Sequence, residues 1–432
     1  MNDPLDPKSV PRRRMGVKSS GGALMMIAVI GAFVAIGGFL LNLERDPVVR
    51  IPTHVVPSPN AFDDYARAGQ VMTDVNIANG LPHSIIYARV MSPLAQDRLL
   101  KAHSPTFAEI RIGLKHPYLS PPVRSASHRF ADLYVDYQLT SLLEIRADRE
   151  EAREEWAASA QTRLDAIQMG ENIPRGGGVD HFNSGLGIVN NSQVSLTRIV
   201  NNLNLVETRQ ALSRLYEIDA AAQPLDQTLE EQKWILQSVL LEIFQKPNWR
   251  EQLVPARRRS RKDVRMKVAI FLTSKRQVMD SYTHYMDDWI AGVRAHRPAL
   301  SFHGAGSDPF LQGLTSNSQD SEMLTRYDEN RTRGAFLEIQ LALHAYELQH
   351  HSYPESLVAL TPDLPNIPSD PFAYGQTLRY HKTGKSYRLY SVGPDGVDDG
   401  GKEITTPTQT PGQWTLDVHP QSKGDVVASM YS

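Results

Sequence analysis

Apolar and polar positions divide the chain into a membrane-length apolar run, a long helix-periodic middle and a short alternating end. No charged residue occurs from Ser19 to Leu43, and Ala23 to Leu41 is almost wholly apolar. As a helix rising 1.5 Å per residue, such a run covers the roughly 30 Å hydrocarbon core of a bilayer. Lys8, Arg12, Arg13, Arg14 and Lys18 precede it, whereas Glu44, Arg45 and Asp46 follow it nearly balanced. The positive-inside bias then leaves residues 1–20 as a cytoplasmic tail, spans the inner (cytoplasmic) membrane once with residues 21–43 and exports the remainder. The run is longer than a signal-peptide core, and Leu40-Leu41-Asn42-Leu43 is a poor cleavage site. Gly31 and Ala35 have the small-xxx-small spacing that lets membrane helices pair, a route to a homo-oligomer.

Residues 44–59 carry Pro47, Pro52, Pro57 and Pro59 without a helical period, and read as an extended linker. Helical spacing then dominates residues 60–298, the expected helical extracytoplasmic domain. Asn60 is placed to cap a helix reaching Asp74, and shorter helices are expected at Pro93–Ala102 and Thr106–Leu114. Arg124 to Met169 predicts two helices, one carrying Phe130, Leu133, Tyr137 and Leu143, the other Trp156, Leu164 and Ile167. The charges from Glu144 to Glu155 suit a solvated face with local ion pairs. Trp156, Ala157 and Ala160 give this pair the look of a tetratricopeptide-like hairpin, without a second copy at the repeat period. Pro174 to Gly178 reads as a mobile or tight connection, because the Gly-Lys-Ser/Thr of a phosphate loop is missing. Further helices are expected at Ser192–Ala222, Leu225–Phe244 and Asp263–Arg297, then a Gly/Ser/Pro-rich linker over 299–324.

The last segment, 325–432, changes period. Asp328 is a candidate cap for a helix to His350 with Phe336, Ile339, Leu343 and Tyr346 on one face. Leu378-Arg379-Tyr380 and Tyr387-Arg388-Leu389 alternate around Lys382-Thr-Gly-Lys385, a hairpin pattern that can lay its apolar side on that helix. Gln413–Val418 or Asp425–Ala428 would supply a third strand. The expected class is therefore mainly α, with a small C-terminal α+β head.

Directly after the hairpin comes Val392-Gly-Pro-Asp395-Gly-Val-Asp398-Asp399-Gly-Gly401. Neighbouring carboxylates repel, and glycines permit turns on which oxygen ligands converge, the arrangement a hard cation such as calcium relieves. A solvated Gly-Asp turn is the alternative. The order Ala342-Leu-His-Ala-Tyr-Glu-Leu348, Tyr353-Pro354, Pro368-Ser-Asp370-Pro371-Phe372, Leu378-Arg-Tyr380 and Leu389-Tyr-Ser-Val-Gly-Pro-Asp-Gly396 resembles the major pseudopilin of type II secretion systems. That resemblance implies a long helix on a small antiparallel sheet and a calcium loop in which the Val392 carbonyl and Asp395 are ligands. The family's later aspartates lie further on, so Asp398, Asp399 or Glu403 would substitute. The pilin leader is not reproduced: Gly16 is followed by Val17 and Lys18, and Gly21 stands where a glutamate would be.

Composition narrows the chemistry. The chain of 432 residues has a formal charge of −2 and no cysteine. The charge disfavours nucleic acid, and the missing thiols exclude disulfides and Cys-ligated zinc. Ala256 to Lys262 is one basic cluster, read as a solvated loop or a contact to anionic headgroups or another protein. His344, His350 and His351 are read as surface or helix-end residues, and Asp63-Asp64 and Asp287-Asp288 face different sides of their helices. Trp156, Trp234 and Trp289 are read as core. No hydrolase or nucleotide motif occurs. The reading is a non-enzymatic, membrane-anchored interaction or scaffold protein with protein partners in the cell envelope. An envelope hydrolase with a dispersed site, or a divergent pseudopilin, is the alternative.

Overall fold

Side-chain caps at Asn60, Ser92, Asn204 and Ser274 set four helix starts in the computed structural model, which describes residues 20–82, 84–122, 124–125, 131–254, 264–298, 308–311, 319–407, 414–415 and 418–428. Helix α1 is Ser20–Leu43. Its stretch Met25–Leu43 is long and apolar enough to cross a membrane, and its side chains are left almost entirely uncovered. Helix α2 (Ala61–Asn79) starts where the Asn60 side chain accepts from the Phe62 amide. It outruns its expected end because Gly80, in the left-handed conformation, is its first available stop. A 3-10 turn (Ile85–Val90) leads to α3 (Pro93–Ala102) and α4 (Ser104–Gly113). The two helices expected before Met169 are α5 (Ala131–Glu151) and α6 (Trp156–Asn172). They are followed by α7 (Val179–Ile199), α8 (Leu205–Ala220), α9 (Leu225–Phe244) and α10 (Trp249–Leu253). Last come α11 (Val264–Leu272), α12 (Lys275–Arg294) and α13 (Gln319–His350).

Two expected helices are broken, each at a capping box that spacing alone does not reveal. Between α7 and α8, Asn204 accepts from the Glu207 amide while the Glu207 carboxylate accepts from the Asn204 amide. Between α11 and α12, Ser274 and Gln277 do the same. Helix α13 starts upstream of Asp328, which is therefore an interior residue and not a cap. The Ala256–Lys262 cluster, most of the expected 299–324 linker, the Gly16 leader region and Gln413 lie outside the described residues.

Packing forms three apolar clusters. One joins α2, α4 and α5 through Tyr65, Phe107, Ile110, Leu139 and Leu142. A second joins α9, α10 and α12 through Leu240, Phe244, Trp249, Tyr282 and Trp289, and takes in Met323 and Leu324 from the start of α13. The third gathers α6, α7, α8, the middle of α13 and the sheet. Leu337, Ile339, Leu341 and Leu343 are wholly buried there, each contributing about 1.5–3 kcal/mol. Thus α13 belongs to two clusters, and the C-terminal module shares its core with the preceding helices.

The sheet is antiparallel, in the order β1 (Arg379–Thr383), β2 (Ser386–Ser391), β5 (Val426–Val427). Tyr380 pairs with Leu389 and Lys382 with Tyr387, which places Leu378, Tyr380, Tyr387 and Leu389 on the face toward α13. The third strand comes from Asp425–Ala428. Trp414–Thr415 (β4) instead pairs with Thr406–Pro407 (β3) in a separate ladder.

Residues 44–59 are extended but not free. Glu44 accepts from Trp249 Nε1 (3.0 Å) and pairs with Arg250 (2.6 Å), Asp46 pairs with Lys275 (2.9 Å), and His54 meets Glu231 (2.8 Å). Val49 packs on the second apolar cluster. The Pro174–Gly178 connection is the tight alternative. Gly176 has a φ of 76°, and a Cβ there would lie 2.7 Å from the Ser120 carbonyl oxygen.

Candidate functional site

The Gly-Asp loop is built on two buried aspartates, neither among the expected ligands. Asp370 has no exposure and accepts from Ser391 Oγ (2.6 Å), the Val392 amide (3.1 Å) and the Phe372 amide (3.0 Å). This ties the start of the loop to the turn before β1. Asp425 is also fully buried and accepts from the amides of Asp399 (3.3 Å), Gly401 (2.6 Å) and Lys402 (3.2 Å). Burial pushes its carboxyl up, against the pull of those amides. Close approach explains Gly393: a Cβ there would sit 2.5 Å from the Gly424 carbonyl oxygen.

The expected ligands have separate employments. Val392 is buried. Asp395 is exposed and accepts from the Val397 amide (3.1 Å), an ordinary Asx turn. Asp398 accepts from Tyr390 OH (3.0 Å), Arg379 Nε (3.1 Å) and the Gly400 amide (3.0 Å), and its carboxyl is lowered, chiefly by that amide bond. Asp399 and Glu403 are exposed. Among the described residues, no group of three or more acidic or histidine side chains stands in metal-holding geometry. Protein donors meet Asp398 and Asp425, while the charge of Asp398 still adds to the upward push on the Asp425 carboxyl.

Sequence spacing missed a cleft of about 220 Å3 between α9, α12, the first half of α13 and the turn before β1. Leu225, Val293 and Leu324 line its apolar part, and Arg294, His296, Arg297, Asp328, Tyr327 and Tyr374 its polar part. His296 and Tyr374 both have left-handed backbones (φ 51° and 25°), and their rings lie 5.4 Å apart. Such conformations cost on the order of 1–3 kcal/mol each outside glycine and gather at ligand sites. Burial, with a contribution from Asp370, pushes the Asp328 carboxyl up to about 8. Arg294 is paired with Asp226 and Glu230 and Arg297 with Asp288, which leaves an acid with a raised pKa beside an apolar floor as the feature that suits a small polar ligand. The only sequence cue was Asp328 itself, a carboxylate beside the apolar stripe of α13.

Other acidic groups are held by packing. Asp219 forms a double ion pair with Arg331 (2.5 and 2.8 Å) where α8 meets α13. Burial pushes neighbouring Glu171 up to about 7 and Glu338 up to about 8. His344 corrects the histidine expectation: it is buried, and its Nε2 lies 2.9 Å from the Leu203 carbonyl oxygen. His350 and His351 are exposed at the helix end as expected. Asp287 and Asp288 go to different partners, Lys233 and Arg297. Of the tryptophans read as core, Trp289 is buried, whereas Trp156 and Trp234 are half-buried.

No family model matches the chain, and no curated protein or solved structure matches it either.

Proposed function

We propose that this is a membrane-anchored interaction or scaffold protein of the cell envelope. Helix α1 is its single anchor, the chain from Glu44 onward lies outside the cytoplasm, and the C-terminal α+β part is a pseudopilin-like module. The observation that carries this reading is a group of uncovered large side chains on elements that pack together. Tyr87, Val90 and Leu94 (68, 88 and 62% exposed) belong to the 3-10 turn and α3, and exposed Tyr134 and Tyr137 belong to α5. The Ile85 amide donates to Gln138 Oε1 (2.6 Å) and Gln96 Nε2 donates to the Ala88 carbonyl (3.0 Å), which fixes this surface. Rigid aromatic and aliphatic groups of this kind are what protein partners bury at the centre of an interface.

Photo-crosslinking tests it. A crosslinking residue at Tyr87 or Val90 of the full chain, in its native membrane, should capture one defined envelope protein, while one at exposed Val358 should not. Equal or absent capture at all three positions refutes the scaffold reading. Calcium at Val392, Asp395, Asp398, Asp399 and Glu403 is a subsidiary part of the proposal, supported by the pseudopilin resemblance and by the exposure of Asp395, Asp399 and Glu403. The cleft beside Asp328 favours a second reading, the envelope hydrolase. Ligand-observed NMR screening of the full chain in detergent tests it, with Asp328→Asn as control. Binding that the variant loses favours that reading; no binding removes its support.

A further inference from the structure

Among its described side chains, helix α11 turns little toward the protein. Ile270 packs on the cluster formed by α9, α10 and α12, whereas Val264, Val268, Phe271 and Leu272 are 70, 48, 59 and 43% exposed. At 3.6 residues per turn these four share one face, about 100° wide. An uncovered apolar stripe of that width on a short helix needs an occupant.

Two observations name it. The first is position. The Arg250 guanidinium donates from Nε to the Ile270 carbonyl (3.2 Å) and from Nη2 to the Thr273 carbonyl (2.9 Å). Its Nη1 pairs with Glu44 (2.6 Å), the residue directly after Leu43, where α1 ends. One side chain thus ties the C-terminal end of α11 to the point where the chain leaves its apolar helix. Trp249 Nε1 secures the same carboxylate at 3.0 Å. The second is charge. Arg257, Arg258, Arg259, Arg261 and Lys262 run directly into α11, and Arg265 and Lys267 lie within it, against Asp263 alone. A short helix with an apolar face and a basic approach is the pattern that settles in a headgroup layer, reinforced by anionic lipid.

We propose that α11 is a second membrane contact, lying in the headgroup region of the leaflet through which the chain emerges. Val264, Val268, Phe271 and Leu272 face the acyl chains, and the positive charge that the sequence carries in and before α11 draws it to anionic headgroups. This rests on reading α1 as the membrane anchor. Two contacts, one spanning and one lying flat, fix the tilt of the helical body relative to the bilayer. A lone anchor would let it swing.

The chain has no cysteine, so single cysteines carry a nitroxide label without background. The full chain is reconstituted in vesicles of phosphatidylcholine and phosphatidylglycerol with Phe271→Cys, Phe33→Cys or Val358→Cys. Val264→Cys serves as a second α11 position in case Phe271→Cys folds poorly. Collision rates are read with oxygen, which concentrates in lipid, and with an aqueous nickel chelate. The α11 label should collide with oxygen, and severalfold less than the Val358 label with nickel. In vesicles lacking anionic lipid that shielding should weaken. If the α11 label meets nickel as freely as the Val358 label while the Phe33 label stays in lipid, the proposal fails and the anchor stands. If the Phe33 label also meets nickel, the anchor reading itself fails. Shielding of the α11 label from both reagents means that protein covers the helix, which also overturns the proposal.

Discussion

Asp136→Asn should stabilise this protein more at pH 8 than at pH 5. Asp136 lies inside the α2–α4–α5 region with 4% of its surface exposed. Burial pushes its carboxyl up to about 8, and Asp132, a turn earlier on α5, adds to the shift. Asp132 is itself held ionised by His181, whose Nε2 lies 2.9 Å from it. The sign follows from proton counting. Between the unfolded value near 3.8 and the folded value near 8, the folded chain holds a proton that the unfolded chain has released. Stability from this group is therefore fully present below about pH 4 and lost as pH rises toward 8. One such group can change stability by at most about 1.4 kcal/mol per pH unit. Relaxation and water entry reduce the total from the full shift to about 2–4 kcal/mol. Asparagine keeps the volume and cannot ionise, so it removes the loss. Chemical denaturation of the full chain in detergent at pH 5, 6, 7 and 8 reads the difference. Glu171, Glu338 and Asp328 keep a downward slope in both proteins, but the two curves should diverge as pH rises. Parallel curves would show that Asp136 titrates as an ordinary carboxylate and that its burial is relieved in solution.

Three further outcomes are expected. Asp370→Ala strands the Ser391 hydroxyl and the Val392 and Phe372 amides, and should lower stability by about 2–4 kcal/mol; denaturant midpoints check it, and a loss under 1 kcal/mol would refute the role of Asp370 as the loop's support. Calcium, if it binds the loop, must raise the thermal midpoint over chelator by mass action, about 3 kcal/mol at a hundredfold excess over its dissociation constant. Asp395→Ala should abolish the response, and no response in either protein makes the loop an ordinary turn. Glu44→Ala and Arg250→Ala should couple in a double-mutant cycle by about 0.5–1 kcal/mol, because Glu44 is half in solvent; additive effects would mean that the extended segment after α1 is not held by this pair.

Much of this architecture was legible from periodicity. The apolar run of α1, the helical middle, the amphipathic α13 and the β1–β2 hairpin each repeat a local pattern over enough residues to be read directly. The breaks at Asn204 and Ser274 were not, because apolar spacing continues through them and only reciprocal capping bonds decide that the helix stops. The buried role of His344 escaped for a different reason. Its partner is the Leu203 carbonyl, and no spacing rule connects positions so far apart.

The candidate sites divide along the same line. The sequence by itself determined which residues crowd charge into the loop after β2, since Asp395, Asp398 and Asp399 are neighbours by covalent bond. Only the tertiary structure decided what surrounds that charge: Arg379 and Tyr390 of the hairpin donate to Asp398, and Asp425, brought in beside the edge strand β5, accepts from the loop's own amides. The cleft at Asp328 and the clamp of Arg250 between Glu44 and α11 are tertiary in full. Each joins segments whose separation along the chain carries no signal, because side-chain meetings depend on how helices stack and not on how residues are spaced.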